Sequence, residues 1–182
     1  MYPHNNPSFR EIEEQFAKDQ GLPFQDALPE EEIRAVMQEQ NIEYRKRTLT
    51  PIITLWAFLS QVLGQYSCKT ATNNIVAFFA SIGEFILLSD GAYCKGRKRL
   101  KEGFLSSLTH KVSNGLQEDL TEEQLWKGRR VKTIDGSSFI MTDTPENQEV
   151  YPQWRQKEGC GFPIARFAVM FCLCTGMVLE FY

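Results

Sequence analysis

The residues best suited to chemistry begin with one acid, Asp135, in the stretch VKTIDGSSFIMTDT at positions 131–144. Apolar and β-favouring residues surround it, and Gly136, Ser137 and Ser138 follow it. Aspartate is disfavoured in strands, and carboxylates are rarely buried without a partner. An acid near the centre of a sheet is suited to one task in particular, holding a divalent cation with carboxylates from other strands. Mg²⁺ takes oxygen ligands and keeps several waters, so one or two carboxylates and a substrate phosphate suffice. Two such ions can activate an attacking water or hydroxyl and stabilise the leaving oxygen of a phosphodiester. The small residues beside Asp135 would let a nucleic-acid backbone come close. The competing reading is a turn between two short strands, because Asp-Gly is a common turn pair.

A second set is basic. Lys95, Arg97, Lys98, Arg99 and Lys101 fall within seven residues, beside Tyr93. If all lie on one helix, Lys95 and Arg99 share a face, as do Arg97 and Lys101, and Lys98 joins the first pair. Cations spread in this way suit phosphate contacts that position DNA without reading its bases. Arg45, Lys46 and Arg47 could add to the set, as could Arg129, Arg130 and Lys132. The alternative is a solvated helix face. Charge is segregated along the chain, which decides more than the net −3 does. Residues 1–43 carry ten acids and three bases, residues 44–132 fourteen bases and seven acids, and residues 133–182 six acids and three bases. A middle of net +7 between acidic ends points to a polyanionic partner for the middle.

The remaining reactive types carry less. The five cysteines, Cys68, Cys94, Cys160, Cys172 and Cys174, form no CxxC or Cys/His cluster with zinc spacing. They read as reduced thiols of a cytoplasmic protein. His4 and His110 have no metal partner at useful spacing. Asp143 opens DTPENQ, where a turn or cap role outweighs a second metal ligand. Cys172 and Cys174 are expected on one strand face, and Trp56, Phe58, Phe78 and Phe79 in the core.

These residues must be positioned by elements, and 182 residues with 42% hydrophobic and 12% aromatic content are enough to build a core. Ser8-x-x-Glu11 is a capping box, followed by Phe9, Ile12 and Phe16 at helical spacing, and Gly21 closes that helix. Pro29 opens a second, with Ile33, Val36 and Met37 on one face. Tyr44-Arg45-Lys46-Arg47 is a basic joint. Thr50-Pro51 starts a helix that is apolar nearly all round, hence a core helix. Ser67 caps the next, closed by Gly83, and another begins near Ser89. GFLSSLTHKV is amphipathic, and Thr121-x-x-Gln124 caps a short turn before Gly128. The period then changes from about four to two. Residues 131–141, 166–174 and 177–182 read as strands, the last two joined by a two-residue Thr175-Gly176 turn that pairs Cys174 with Met177, Cys172 with Leu179 and Met170 with Phe181. The longest apolar runs are thirteen residues, 51–63 and 167–179, too short to span a membrane.

The stretches IDGSSFIMTDTPENQ and EGCGFPIARFAVMFCLCTGMVLE resemble the first catalytic segment of insertion-sequence-four (IS-four) type DDE transposases. RTLTPIITLWAFLSQVL and GAYCKGRKRL are similar to the helical N-terminal region of that family. The resemblance runs from about Arg47 to the last residue, and it displaces the turn reading of Asp135-Gly136. It implies an α+β chain: a mainly helical N-terminal region, then the first three antiparallel strands of an RNase H-like catalytic core. The implied divisions are 1–43, an acidic helical segment; 44–128, a basic helical DNA-binding region; and 129–182, the start of the core. Asp135 matches the first acid of the Asp-Asp-Glu triad and would help hold Mg²⁺ or Mn²⁺. The second Asp and the Glu of the triad have no counterpart here, and Trp154-Arg155 lies in the wrong place to supply one. The expected chain is thus the front portion of a transposase, ending inside the third strand and catalytically incomplete. Its implied partners are double-stranded DNA at element ends, and itself or a full-length transposase. The rival expectation is a non-catalytic remnant that binds DNA or transposase.

Overall fold

The computed structural model describes residues 8–22, 25–45, 47–151 and 161–182. The chain divides into two compact units, 1–108 and 109–182.

In the first unit every anticipated helix start is made by the residue type expected there. The helix α1, Phe9–Asp19, opens on Ser8, whose hydroxyl accepts from the Glu11 N–H while the Glu11 carboxylate accepts from the Ser8 N–H at 2.6 Å. α2 is Glu30–Glu39, with Pro29 at its N-cap. α3, Pro51–Leu63, opens on Thr50, which is buried and accepts from the Ile53 N–H. α4, Cys68–Ser81, and α5, Asp90–Arg97, open on Ser67 and Ser89 in the same way. α6 is Glu102–Glu118, a continuous helix within which the two units divide.

α3 is the axis of this unit, since α1, α4 and α5 all pack on it. The reason is its composition: residues 51–63 contain no charge, and Ile52 through Ala57 are buried. Ile12 and Phe16 of α1, Ile33, Val36 and Met37 of α2, and Ile75, Phe78 and Phe79 of α4 are buried in the same unit. The Phe16 and Phe78 rings meet edge to face, 5.0 Å between centroids. α5 approaches α3 closely because Gly96 is buried there; a Cβ at that position would come within 3.4 Å of the Thr54 side chain.

The second unit is built on a three-stranded antiparallel sheet in the order β1-β2-β3, with β1 Lys132–Ile140, β2 Ile164–Cys172 and β3 Val178–Phe181. The α+β class and the antiparallel neighbourhood of the three strands are as expected. β1 pairs along its whole length with β2, Asp135 opposite Val169 and Ile140 opposite Ile164. Ahead of β1, Trp126 and Arg129 exchange backbone hydrogen bonds around Lys127-Gly128, both at positive φ, which is the geometry of a tight two-residue turn.

The second hairpin differs from expectation. β2 ends at Cys172, and residues 173–176 form a four-residue loop in which the Gly176 N–H donates to the Cys172 carbonyl at 2.7 Å. The Cys172 N–H then donates to Met177, and a bulge between Met170 and Phe171 places Glu180 opposite Met170 and Phe181 opposite Val169. The favoured two-residue turns need positive φ at the first central position, here Thr175. Only Gly176 adopts it, at +71°, and Thr175 is β-branched and does not. Cys174 therefore lies in the loop and not on a strand face with Cys172.

A short helix, α7 Pro145–Val150, also departs from the sequence reading, which had only a turn there. Thr144 caps it and Pro145 fills its first turn. Asp143 lies just before the cap, and its carboxylate accepts from the Gln148 amide at 2.7 Å. The same amide donates to the Gly161 carbonyl, and Met141 and Ile164 bond to Pro163 and Tyr151, closing the connection from β1 to β2. Trp154-Arg155, Cys160, Lys46 and His4 lie outside the described residues.

Candidate functional site

Asp135 is the fourth residue of a nine-residue strand, at its middle third, and its carboxylate accepts from the Gly136 N–H at 2.9 Å. Within the described sheet β1 is the edge and β2 the centre, so Asp135 is on an edge strand where the sequence suggested the interior of a sheet. Every residue of β1 is exposed, Ile134 and Ile140 by about 70%. The alternation of a strand places Thr133, Ser137 and Phe139 on the face of Asp135, and cross-strand pairing adds Val169, Phe167 and Phe171 to it. The Phe139 and Phe167 rings meet there at a tilt of 49°, 5.8 Å between centroids. Gly136 has open backbone above it; a Cβ would meet only the Phe167 carbonyl, at 3.7 Å.

Glu180, the acid on β3, is opposite Met170, one position on from Val169, and therefore on the other face from Asp135. It is held there by His110 of α6, Nε2 to Oε1 3.4 Å. That pairing links α6 to β3 within the second unit. On the Asp135 face the three strands offer one carboxylate and two hydroxyls, those of Thr133 and Ser137. Among the described residues no three His, Cys, Asp or Glu side chains converge as a metal-ligand group. A bridged pair of divalent ions needs several carboxylates. The described residues therefore do not by themselves fit such a pair.

The basic set is redistributed by the fold. α5 ends at Arg97, with Lys98 as its C-cap, and the chain tightens so that the Arg99 N–H donates to Gly96 and the Leu100 N–H to Arg97. Lys98, Arg99 and Lys101 thus lie beyond the helix, and the shared helical faces expected of the five cations are not formed. Two glycines in an eight-residue helix explain the early stop, since each weakens helix propagation by about 1 kcal/mol relative to alanine. Lys95, Lys98, Arg99 and Lys101 are exposed, as are Arg45 and Arg47.

Arg97 is turned inward. Its guanidinium lies 5.0 Å from the Phe58 ring centroid and 5.8 Å from that of Tyr93. It donates to the Gln61 side-chain carbonyl at 3.2 Å and to the Cys68 sulfur at 3.5 Å. The Tyr93 hydroxyl donates to the same Gln61 oxygen at 2.8 Å. Burial pushes the Tyr93 phenol up to about 12. This cluster has no signature in the sequence: Gln61, Cys68, Tyr93, Cys94 and Arg97 come from three helices and show no motif spacing.

Around Arg34 there is a second inward cation, paired with Glu30 and with the buried Glu13. It ties α1 to α2. No helix among the described residues is long and apolar enough to cross a membrane. No family model matches the chain, and comparison with curated proteins and with solved structures finds no match.

Proposed function

We propose that this chain is the DNA-binding and core-opening portion of an IS-four type DDE transposase. It contacts duplex DNA through the exposed cations Arg45, Arg47, Lys95, Lys98, Arg99 and Lys101, and it carries Asp135 as the first acid of the catalytic triad. One observation supports the reading above others: an acid in mid-strand, exposed, beside a glycine and hydroxyls, on the first of three consecutive antiparallel strands. An RNase H-like core begins with such strands in the family that the sequence resembles. Mg²⁺ or Mn²⁺ would be held by Asp135 together with carboxylates beyond those of the three strands. Arg97 contributes to the proposed surface by positioning α5, because its own charge is engaged by Gln61 and Cys68.

A second reading, a non-catalytic protein that binds DNA or transposase, is favoured by the single carboxylate on the Asp135 face. Cytoplasmic location and self-association belong to both readings. The test is binding of duplex DNA by fluorescence anisotropy across a salt series. Affinity should fall steeply with salt, and replacing Lys95, Lys98, Arg99 and Lys101 by alanine should weaken binding equally on unrelated sequences. A variant that binds as tightly as the parent would overturn the surface. Asp135→Asn should bind DNA like the parent. A nicking assay with Mg²⁺ or Mn²⁺ separates the two readings: in a chain extended to supply further acids, nicking lost in Asp135→Asn supports the enzyme, and its absence supports the binding protein.

A further inference from the structure

We propose that Cys68 and Cys94 form a peroxide-reactive dithiol, with Cys68 as the attacking thiolate and Cys94 as the thiol that resolves it. The two belong to different helices, Cys68 the first residue of α4 and Cys94 in the middle of α5. Cys94 lies three residues before Arg97 on the same face of α5, and its thiol interacts with that of Cys68. Two donors converge on the Cys68 sulfur, the Gln61 amide at 3.5 Å and the Arg97 guanidinium at 3.5 Å. Two donors on one sulfur, one of them a fixed cation, favour the thiolate. Both cysteines are half-buried, so a small oxidant reaches them.

The surroundings separate the two thiols. Hydrogen bonds from Gln61 first, then from Cys94, with the Arg97 charge, hold the Cys68 thiol below its usual range. Donation to Cys68, burial and the Cys68 charge push Cys94 up, with Arg97 opposing and Asp90 adding to the rise. Tyr93, the remaining titratable neighbour, is neutral to high pH and occupied by Gln61. The asymmetry is that of an attacking and a resolving cysteine.

The chemistry balances with a hydroperoxide as oxidant. The Cys68 thiolate attacks one peroxide oxygen, the O–O bond breaks, and hydroxide or alkoxide leaves; sulfur loses two electrons and becomes a sulfenic acid. The Cys94 sulfur then attacks the Cys68 sulfur, the S–O bond breaks, and the Cys94 proton leaves with the hydroxyl as water. The product is a disulfide joining α4 to α5. It removes the anion that holds Arg97 on that side and leaves Arg97 with Gln61, Phe58 and Tyr93.

The purified 182-residue chain, reduced and then given one equivalent of hydrogen peroxide, should yield a Cys68–Cys94 cross-linked peptide by mass spectrometry after alkylation and digestion. Cys172 and Cys174 should remain alkylated. Iodoacetamide at neutral pH should label Cys68 several-fold faster than Cys94, with a pH profile displaced to lower pH. Cys94→Ser should accumulate a dimedone adduct on Cys68. Absence of the cross-linked peptide from the parent chain, or labelling of Cys94 as fast as Cys68, would overturn the proposal without reference to any variant or to DNA binding.

Discussion

Tyr93 shows how one residue couples packing to pH. It is fully buried, its ring lies beside Arg97, and its hydroxyl donates to Gln61. Burial raises its ionisation to about 12, whereas an exposed phenol ionises near 10. The neutral phenol is therefore favoured in the fold. Its contribution to stability is fully present below about pH 10 and is lost as pH rises toward 12, because the unfolded chain ionises first. Urea unfolding of the parent should weaken across that window by more than unfolding of Tyr93→Phe. Parallel curves for the two proteins would show that Tyr93 is not the group responsible. Asp135 stands in contrast, an exposed acid bonded to its own neighbouring N–H, with its chemistry dependent on what else approaches it.

At the scale of elements, α3 depends on how it begins. Thr50 closes the first turn with its hydroxyl, and the Thr54 hydroxyl donates back to the Thr50 carbonyl at 2.7 Å. Both residues are buried, so water does not replace a lost bond. Thr50→Ala should cost about 1–2 kcal/mol, read as a lower urea midpoint at unchanged slope, with Thr50→Ser restoring most of it. An alanine variant with the parental midpoint would mean that Pro51 alone is sufficient to start the helix. α5 shows the opposite case. It has a good cap in Ser89, yet its two glycines end it after eight residues.

On the scale of the whole molecule, the two units differ in how much apolar surface each protects. The first buries Trp56, Phe16, Ile33, Ile75 and Tyr93 almost completely. The sheet of the second leaves all of β1 exposed and buries Ala165, Cys172 and Leu179. Local opening follows buried contact, so backbone amides of α3 should exchange with solvent far more slowly than those of β1. Hydrogen exchange followed by mass spectrometry measures this, and equal protection in both would contradict the burial pattern. Exposed apolar residues on an edge strand also invite pairing with another chain. The first unit holds the exposed cations proposed for DNA, and the second holds Asp135.

Much of the helical unit was legible from local signals. Ser8-x-x-Glu11, Thr50-Pro51, Ser67, Ser89 and the change to a period of two each act through the nearest few residues of backbone, so their outcome hardly depends on what packs around them. The strands of β1 and β2 were legible for the same reason, to within two residues. What only the tertiary structure decided involved partners distant in the chain or competition between neighbours. The register of the last hairpin turned on whether Thr175 would accept positive φ. The inward turn of Arg97 depended on acceptors distant in the chain, Gln61 and Cys68 some thirty residues earlier. The meeting of Cys68 with Cys94 has no local cause, because helix packing around α3 brings them together. Which carboxylates share a face with Asp135 was likewise a question of register, and the bulge after Met170 answered it for Glu180 by setting it on the other side.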